Sequence, residues 1–383
     1  MPTVADLVAS IERLAPPTLA ESWDNVGLLL GDLADPLRGP VVLTIDLTAS
    51  VLDEALAARA SAVIAYHPPI FHPMKRLTGA APGERTILRA ARAGLAIYSP
   101  HTALDAAQGG LADWLGDAVI DEAAGDGADR RALRPHAHQP ATQQVKVVTF
   151  VPAAAAEQVR GALASAGAGI IGNYVSCSFA IPGTGTFLAQ SGASPKAGSG
   201  APGRLEEVAE VRLEMVCSRA ALALALTTLR SLHPYEEPAI DVYALEGHPR
   251  REVGVGRRLS LDHPLALTDL AARVKARLGV PHVLVAAAPG LERQPVARVA
   301  VCPGDGGSLI EAASADGCQA YVTGEMSHHE VWSCLNRGVG VILAGHTAAE
   351  RGYLPVLAKR LGADVPGVQM MVSRADADPL RAI

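Results

Sequence analysis

The chain has 383 residues, room for roughly two or three domains, and 49% hydrophobic against 19% charged residues marks it as core-forming rather than disordered. A formal net charge of −6 argues against broad nucleic-acid binding, and no window offers the ~20 uncharged apolar residues of a membrane span. The five cysteines (Cys177, Cys217, Cys302, Cys318, Cys334) form no C-x-x-C pair, which points to free thiols in a reducing cytoplasm rather than to a cysteine zinc site.

Residues 4–15 fit a first helix, and Asp6 and Glu12 within it argue against a secretory leader. ESWDNVGLLLGD (21–32) reads as a turn into a strand; Trp23, Asp24, Asn25 and Gly27 either line a site or close a buried turn. PVVLTIDL (40–47) is a strand, VLDEALAARA (51–60) a helix, and SAVIAYHPPIF (61–71) a strand that Pro68 and Pro69 stop just past Tyr66 and His67. The following loop carries His72, Lys75 and Arg76, either contacts for a phosphate or other anion, or ordinary surface charge. GERTILRAARAG (83–94) is the helix before the strand that leads to His101.

Residues 121–142 lose periodicity and read as a linker in which His136 and His138 are solvated. From Lys146 the order is strand, helix, a pair of strands, a flexible Gly/Ser/Pro loop (190–203), strand, helix, strand, which is that of a ferredoxin-like α+β insert over about 145–247. After it come a helix, ALTDLAARVKARLG, and the strands HVLVAA, ARVAVCPG and CQAYVTGEM. The turn PGDGGS (303–308) could cradle a phosphate on backbone N–H groups at a helix N-terminus, but it lacks the lysine and spacing of a P-loop, so a tight structural turn is the stronger reading.

Two segments share one plan. GLAIYSPHTALDAAQGGLADWLGD (94–117) and GVGVILAGHTAAERGYLPVLAKRLGAD (338–364) both run glycine, apolar strand, His-Thr-Ala-x-acid, then an amphipathic stretch. His101 and Asp105 thus occupy the places of His346 and Glu350. Upstream, Ser50-Val-Leu matches Ser308-Leu-Ile, and His67 and Glu325 follow them at equal distances. We read two related α/β halves, 1–125 and 250–383, interrupted by the insert. His67, His101, Asp105, His346 and Glu350 would then lie at strand ends, where open α/β sheets hold ligands. Their nitrogen and oxygen donors suit divalent Zn, Fe or Mn. Glu325, aligned with His67, reads as a base or as a carboxylate behind the ligands, and His328 and His329 as rim or helix-start residues. No G-x-S-x-G elbow and no Cys–His pair indicates covalent nucleophilic catalysis.

ESWDNVGLLLGD, YHPPIF, YSPHTALDAA, GDGGSLI, GEMSHHE and GHTAAERG together resemble the NIF-three-like dinuclear-metal family, whose members carry the label GTP cyclohydrolase 1 type 2 homolog. GNYVSCSF, GTGTF and HPYEEPAIDVY resemble the insert of its longer bacterial members. The resemblance covers nearly the whole chain. It implies two interlocked α/β halves with a pair of divalent ions between them, a homohexamer with a central cavity, and an insert similar to PII-type signalling proteins. Carried over by residue, it places metal ligands on His67, Asp105, His346 and Glu350, with Glu350 bridging and His101 close by or ligating. Tyr66 stands where many members have histidine, although eukaryotic-type members also look like Tyr-His. A neutral phenol with a reference pKa near ~10 ligates poorly, so the second ion is expected to be weak, water-completed or absent. Two functions follow. One is a metal-dependent hydrolase of a nucleotide or other phosphoester, with Glu325 moving a proton and Lys75 and Arg76 contacting an anion. The other is a regulatory or scaffold hexamer with structural or sensed metals and a ligand-binding insert.

Overall fold

The apolar runs of the sequence become short strands buried along their whole length, as strands covered on both faces must be: Val41–Thr44, Ala62–Ala65 and Ala96–Ser99 expose nothing. The computed structural model describes residues 1–120, 128–194 and 203–380. It divides into a unit of residues 1–136 with 250–383 and a unit of residues 137–249.

The first unit is α/β with two sheets. One runs, edge to edge, through Gly27–Leu30, Ala96–Ser99, Ala62–Ala65, Val41–Thr44 and Met370–Val372. The other runs through Leu284–Ala286, Gly340–Leu343, Ala320–Glu325, Val296–Asp305, His248–Leu265 and Ala128–His138. The internal repeat is visible in the pairing. Val41 sits opposite Ala62 in one sheet and Val299 opposite Ala320 in the other, both parallel. In each sheet the third parallel strand is flanked by an antiparallel edge strand, Gly27–Leu30 or Leu284–Ala286.

The halves exchange elements. Met370–Val372, from the end of the chain, extends the first sheet beside Val41–Leu43. Helix Leu354–Asp364 puts Leu354, Leu357 and Leu361 into the core of that sheet, with Leu43 and Ile64. Conversely, Leu115 of helix Leu111–Asp117 joins Leu259, Val299 and Val322 in the core of the second sheet. Each of these leucines contributes about 1.5–3 kcal/mol by burial, and only with the opposite half in place.

The unit of residues 137–249 carries a sheet ordered Phe179–Leu188, Leu205–Cys217, Val145–Pro152, Ile240–Ala244, with every neighbouring pair antiparallel. Helices Ala156–Ser165 and Arg219–Leu232 occupy the connections, in an order typical of ferredoxin-like units. Val159, Leu163 and Leu229 pack on Val147, Leu213 and Met215 to form its core.

Three expectations are corrected. The stretch 121–142 is not all linker: Ala128–His138 is an edge strand beside His248–Leu265, ordered by main-chain pairing that needs no apolar periodicity, while 121–127 lie outside the described residues. In this strand His136 is not solvated at Nε2, which is shielded from solvent, whereas His138 is exposed. Residues 170–189 form one strand rather than two; Ile171 and Tyr174 make only an isolated bridge around Gly172, whose φ of 56° closes the turn. Of the loop 190–203, residues 195–202 lie outside the described residues. No described helix is long and apolar enough to cross a membrane.

Candidate metal centre

Strand pairing continues one step beyond the strand Ala62–Ala65. The N–H groups of Tyr66 and His67 donate to Thr44 and Ile45 carbonyls at 2.9 and 3.0 Å, carrying both side chains to the carboxyl end of the first sheet before the two prolines break it. The second sheet does the same for its own histidine. Ala344 and Gly345 donate to Thr323 and Gly324, and His346 follows. His101 opens the helix His101–Ala106 with φ at 23°, a backbone strain held by its ring contacts.

Each of the three imidazoles is backed by a carboxylate on Nδ1. His67 bonds Asp46 at 2.9 Å, His101 bonds Asp24 at 2.8 Å, and His346 bonds Glu325 at 2.9 Å. Nε2 of His67 then faces Glu350 Oε2 at 3.5 Å, and Nε2 of His346 faces Glu350 Oε1 at 3.4 Å. The ring centroids of His101 and His346 stand 5.4 and 5.5 Å from that of His67. A carboxylate on Nδ1 fixes the ring and leaves Nε2 free, which is how metal-ligating histidines are held.

Two observations test whether the residues fit a divalent cation. Glu350 is 1% exposed, yet its Oε2 has no hydrogen bond. A buried carboxylate oxygen without a partner is costly, and a cation is the partner its surroundings lack. The space in front of it is kept by Gly304, at φ 60°, where a Cβ would come within 2.8 Å of Glu350 Oε1 and 3.4 Å of His346 Nε2. The ligating atoms of His67, His346 and Glu350 all lie within 4.8 Å of one another. The donor set fits.

Electrostatics follow from burial. Burial opposes charge on His67, but the Asp46 hydrogen bond and the charges of Glu350 and Asp46 outweigh it and push its pKa up to about 10. Asp105 is pushed up to about 7, chiefly by burial, against the pull of His101 and of the Tyr66 hydrogen bond. Tyr66 donates its hydroxyl to Asp105 at 2.7 Å, and burial together with the Asp105 charge holds the phenol well above its usual range. Asp46 is lowered by its bond to His67, and Asp24, despite burial, by its bonds to His101 and Thr102.

The structure therefore brings His67, His346 and Glu350 into one cluster, with His101 beside it and Asp105 behind Tyr66. Glu325 is engaged by His346. Lys75 and Arg76 are exposed in the loop, and no described contact joins them to the cluster. His328 accepts from the Trp332 indole at 3.1 Å on an exposed helix, away from these contacts. Two residues escaped the sequence reading. Asp46 lies just past the strand Val41–Thr44, level with His67, and an acid at that strand end was the available signal. Gly304 sits within the turn PGDGGS, whose sequence speaks for a structural turn or a phosphate cradle and not for a wall of the cluster. Beside His67 opens a cavity of about 460 Å³ walled by Asp46, Thr48, Gly83, Thr86 and Pro379, a volume in the range of small-molecule sites. A larger one, about 850 Å³, lies in the unit of residues 137–249 among Phe150, Phe187, Arg212 and Tyr235, with Glu210, Glu236 and Glu237 in its wall but no cluster of metal-ligating atoms among the described residues.

The model of the Duf34/NIF3 (NGG1p interacting factor 3) family matches residues 2–379. A "GTP cyclohydrolase 1 type 2 homolog" of Bacillus subtilis is 34% identical over 376 residues, which cover 97% of this chain and 96% of the relative. The "NIF3-like protein 1" of Rattus norvegicus is 34% identical over 383 residues, 98% of this chain and 92% of the relative. Among solved structures, a Bacillus cereus protein related to NIF3 superposes with a TM-score of 0.64 at 33% identity, covering 100% of this chain and 99% of that one.

Proposed function

This chain belongs to the Duf34/NIF3 family, and we propose that it is a divalent-metal-dependent hydrolase acting on a nucleotide or other phosphoester through a dinuclear site. The observation that carries this reading is the convergence of carboxylate-backed His67 and His346 on the two oxygens of the buried Glu350. His67, His346 and Glu350 would hold the metal, with His101 and Asp105 as further donors. Divalent ions there would supply Lewis-acid polarisation of a phosphoryl oxygen and activation of water at neutral pH.

The chain's own groups do the rest. Asp46, Asp24 and Glu325 orient the imidazoles, and Glu325, the most open of these carboxylates, would also take up a proton released beside His346. Asp105, with its pKa near 7, can hold or release a proton at its carboxylate while Tyr66 stays a neutral donor to it. The cavity beside His67 admits a substrate of moderate size. Lys75 and Arg76 remain candidates for anchoring an anion on approach, and we take the protein to work as a homohexamer in the cytoplasm.

Elemental analysis of chelator-free protein tests the reading. About two ions per chain are expected if water completes the site beside Tyr66, with collapse in Glu350→Ala and with metal-dependent turnover in a phosphoester screen, whereas a single ion would remove the dinuclear part of the reading. Metal-free protein of intact fold and size would overturn it.

A further inference from the structure

The cluster has an aromatic flank that none of this chemistry uses. Trp23 is 58% exposed and Phe71 41% exposed. Their ring centroids stand 6.0 Å apart at 56°, and Trp23 meets the His101 ring edge-on, also at 6.0 Å. Exposed rings on loops are ordinarily mobile, but the backbone that carries these is pinned on both sides of Trp23. Asp24, next to Trp23, accepts from His101 Nδ1, from the Thr102 N–H and from the Thr102 hydroxyl. Asn25 Nδ2 donates to the Ile70 carbonyl at 2.6 Å, tying the turn to the loop that carries Phe71. Glu21 N–H donates to the Thr102 hydroxyl at 3.0 Å, closing the turn from its other side. The fold thus fixes two apolar ring faces in water, against a side chain that faces the metal cluster. Pre-ordered, solvent-facing rings have no core to fill, and they present the surface on which a flat ring stacks.

We propose that Trp23 and Phe71 form a stacking platform for the planar heteroaromatic ring of the substrate, so that the preferred ligand is a mononucleotide-like phosphoester rather than a simple sugar phosphate. The inference rests on the hydrolase reading above and assigns its specificity. The phosphoester reaches past His101 to the cluster while the ring lies on Trp23, and Phe71 bounds it on one side.

The test is calorimetric titration of metal-loaded protein with GMP and with ribose 5-phosphate. The natural protein is expected to favour GMP by on the order of 10-fold or more, the value of one base–aromatic stack. That preference is expected to collapse in Trp23→Ala, to shrink in Phe71→Ala, and to be largely rescued in Trp23→Phe. Stacking is also expected to quench tryptophan fluorescence on GMP addition, and Trp23→Phe removes that quench. Equal affinity for the two ligands, binding of neither, or a preference that survives Trp23→Ala would overturn the platform. So would a change in particle size by light scattering in Trp23→Ala, which would make these rings a contact between copies. Metal content and turnover of a non-aromatic phosphoester are read in parallel, so that loss of the platform and loss of the hydrolase reading are told apart.

Discussion

His67 Nε2 and Glu350 Oε2 face each other at 3.5 Å, one from the end of the first sheet and the other from the short helix Ala348–Arg351 behind the second. That gap is too long for a good hydrogen bond and short enough for both atoms to share a cation. The site is therefore a property of the joined halves. Neither half holds the cluster alone, and the exchange of helices and of the strand Met370–Val372 keeps the halves in register.

Metal binding should release protons. In the metal-free protein the His67 pKa is raised from 6.5 to about 10, so its charge stabilises the fold fully below 6.5, and that contribution is lost as pH rises through about 10. A cation competes with that proton for the same nitrogen. Asp105, raised to about 7, acts in the same direction. Affinity is thus expected to climb with pH from 6 to 9. Titration at pH 7 in buffers of different ionisation heat should show net proton release; a buffer-independent heat would contradict it.

The carboxylates behind the imidazoles should act on affinity before they act on rate. Asp46→Asn, Asp24→Asn and Glu325→Gln each keep shape and lose the charge that orients a ring. Each is expected to weaken metal binding by ~10–100-fold. Glu325→Gln separates two roles. If Glu325 only orients His346, saturating metal restores turnover. If it also carries a proton, kcat stays low with the site full. Dialysis against metal buffers, followed by kinetics at saturating metal, decides between them.

Strands buried on both faces are legible because each is a continuous apolar run, and Pro68, Pro69 and Gly345 mark where Ala62–Ala65 and Gly340–Leu343 stop. The repeated His-Thr-Ala-x-acid segment exposed the histidines and acids of the cluster for the same reason: spacing and chemistry recur together. What an amphipathic helix packs against is another matter. Leu111–Asp117 advertises an apolar face but not that the face lies on the opposite half's sheet. Ala128–His138 carries no alternating apolar pattern, since its pairing is made by main chain. Asp46 differs from any surface aspartate only in what it touches.

Gly304→Ala should empty the site. A Cβ there meets Glu350 Oε1 at 2.8 Å, and the φ of 60° adds strain of roughly 1 kcal/mol. Gly94→Ala is the control, because its φ of 66° brings the same strain while nothing lies within 4 Å of the added carbon. Both variants are expected to melt a few degrees lower in the metal-free state, and only Gly304→Ala should lose bound metal. Equal metal content in the two would show that Gly304 is needed for the turn alone.

Arg257 should prove one of the costliest residues to remove, although it lies outside the cluster. It is fully buried in the strand His248–Leu265, and its donors are almost all used. Nε donates to Asp113 Oδ1 at 2.7 Å, Nη1 to the carbonyls of Gly254 and Gly256, and Nη2 to those of Ala106 and Ala107. Ala106 and Ala107 close the helix that begins at His101, so this one guanidinium ties the His101–Asp105 segment to the second sheet. Arg257→Met would take the buried cation from Asp113, leaving it the Gly109 N–H at 2.6 Å and Arg130 at 3.4 Å, and would remove a donor from four carbonyls, a loss of about 3–5 kcal/mol. Arg257→Lys should recover little, since an ammonium cannot reach five acceptors from one plane. Replacing both partners, Arg257→Met with Asp113→Leu, removes the buried carboxylate but also the acceptor of the Gly109 N–H and of Arg130, and should return only part of the stability. Urea unfolding of the metal-free proteins measures all three. A single variant within 1 kcal/mol of the natural protein would mean that the halves are held by their exchanged apolar helices alone.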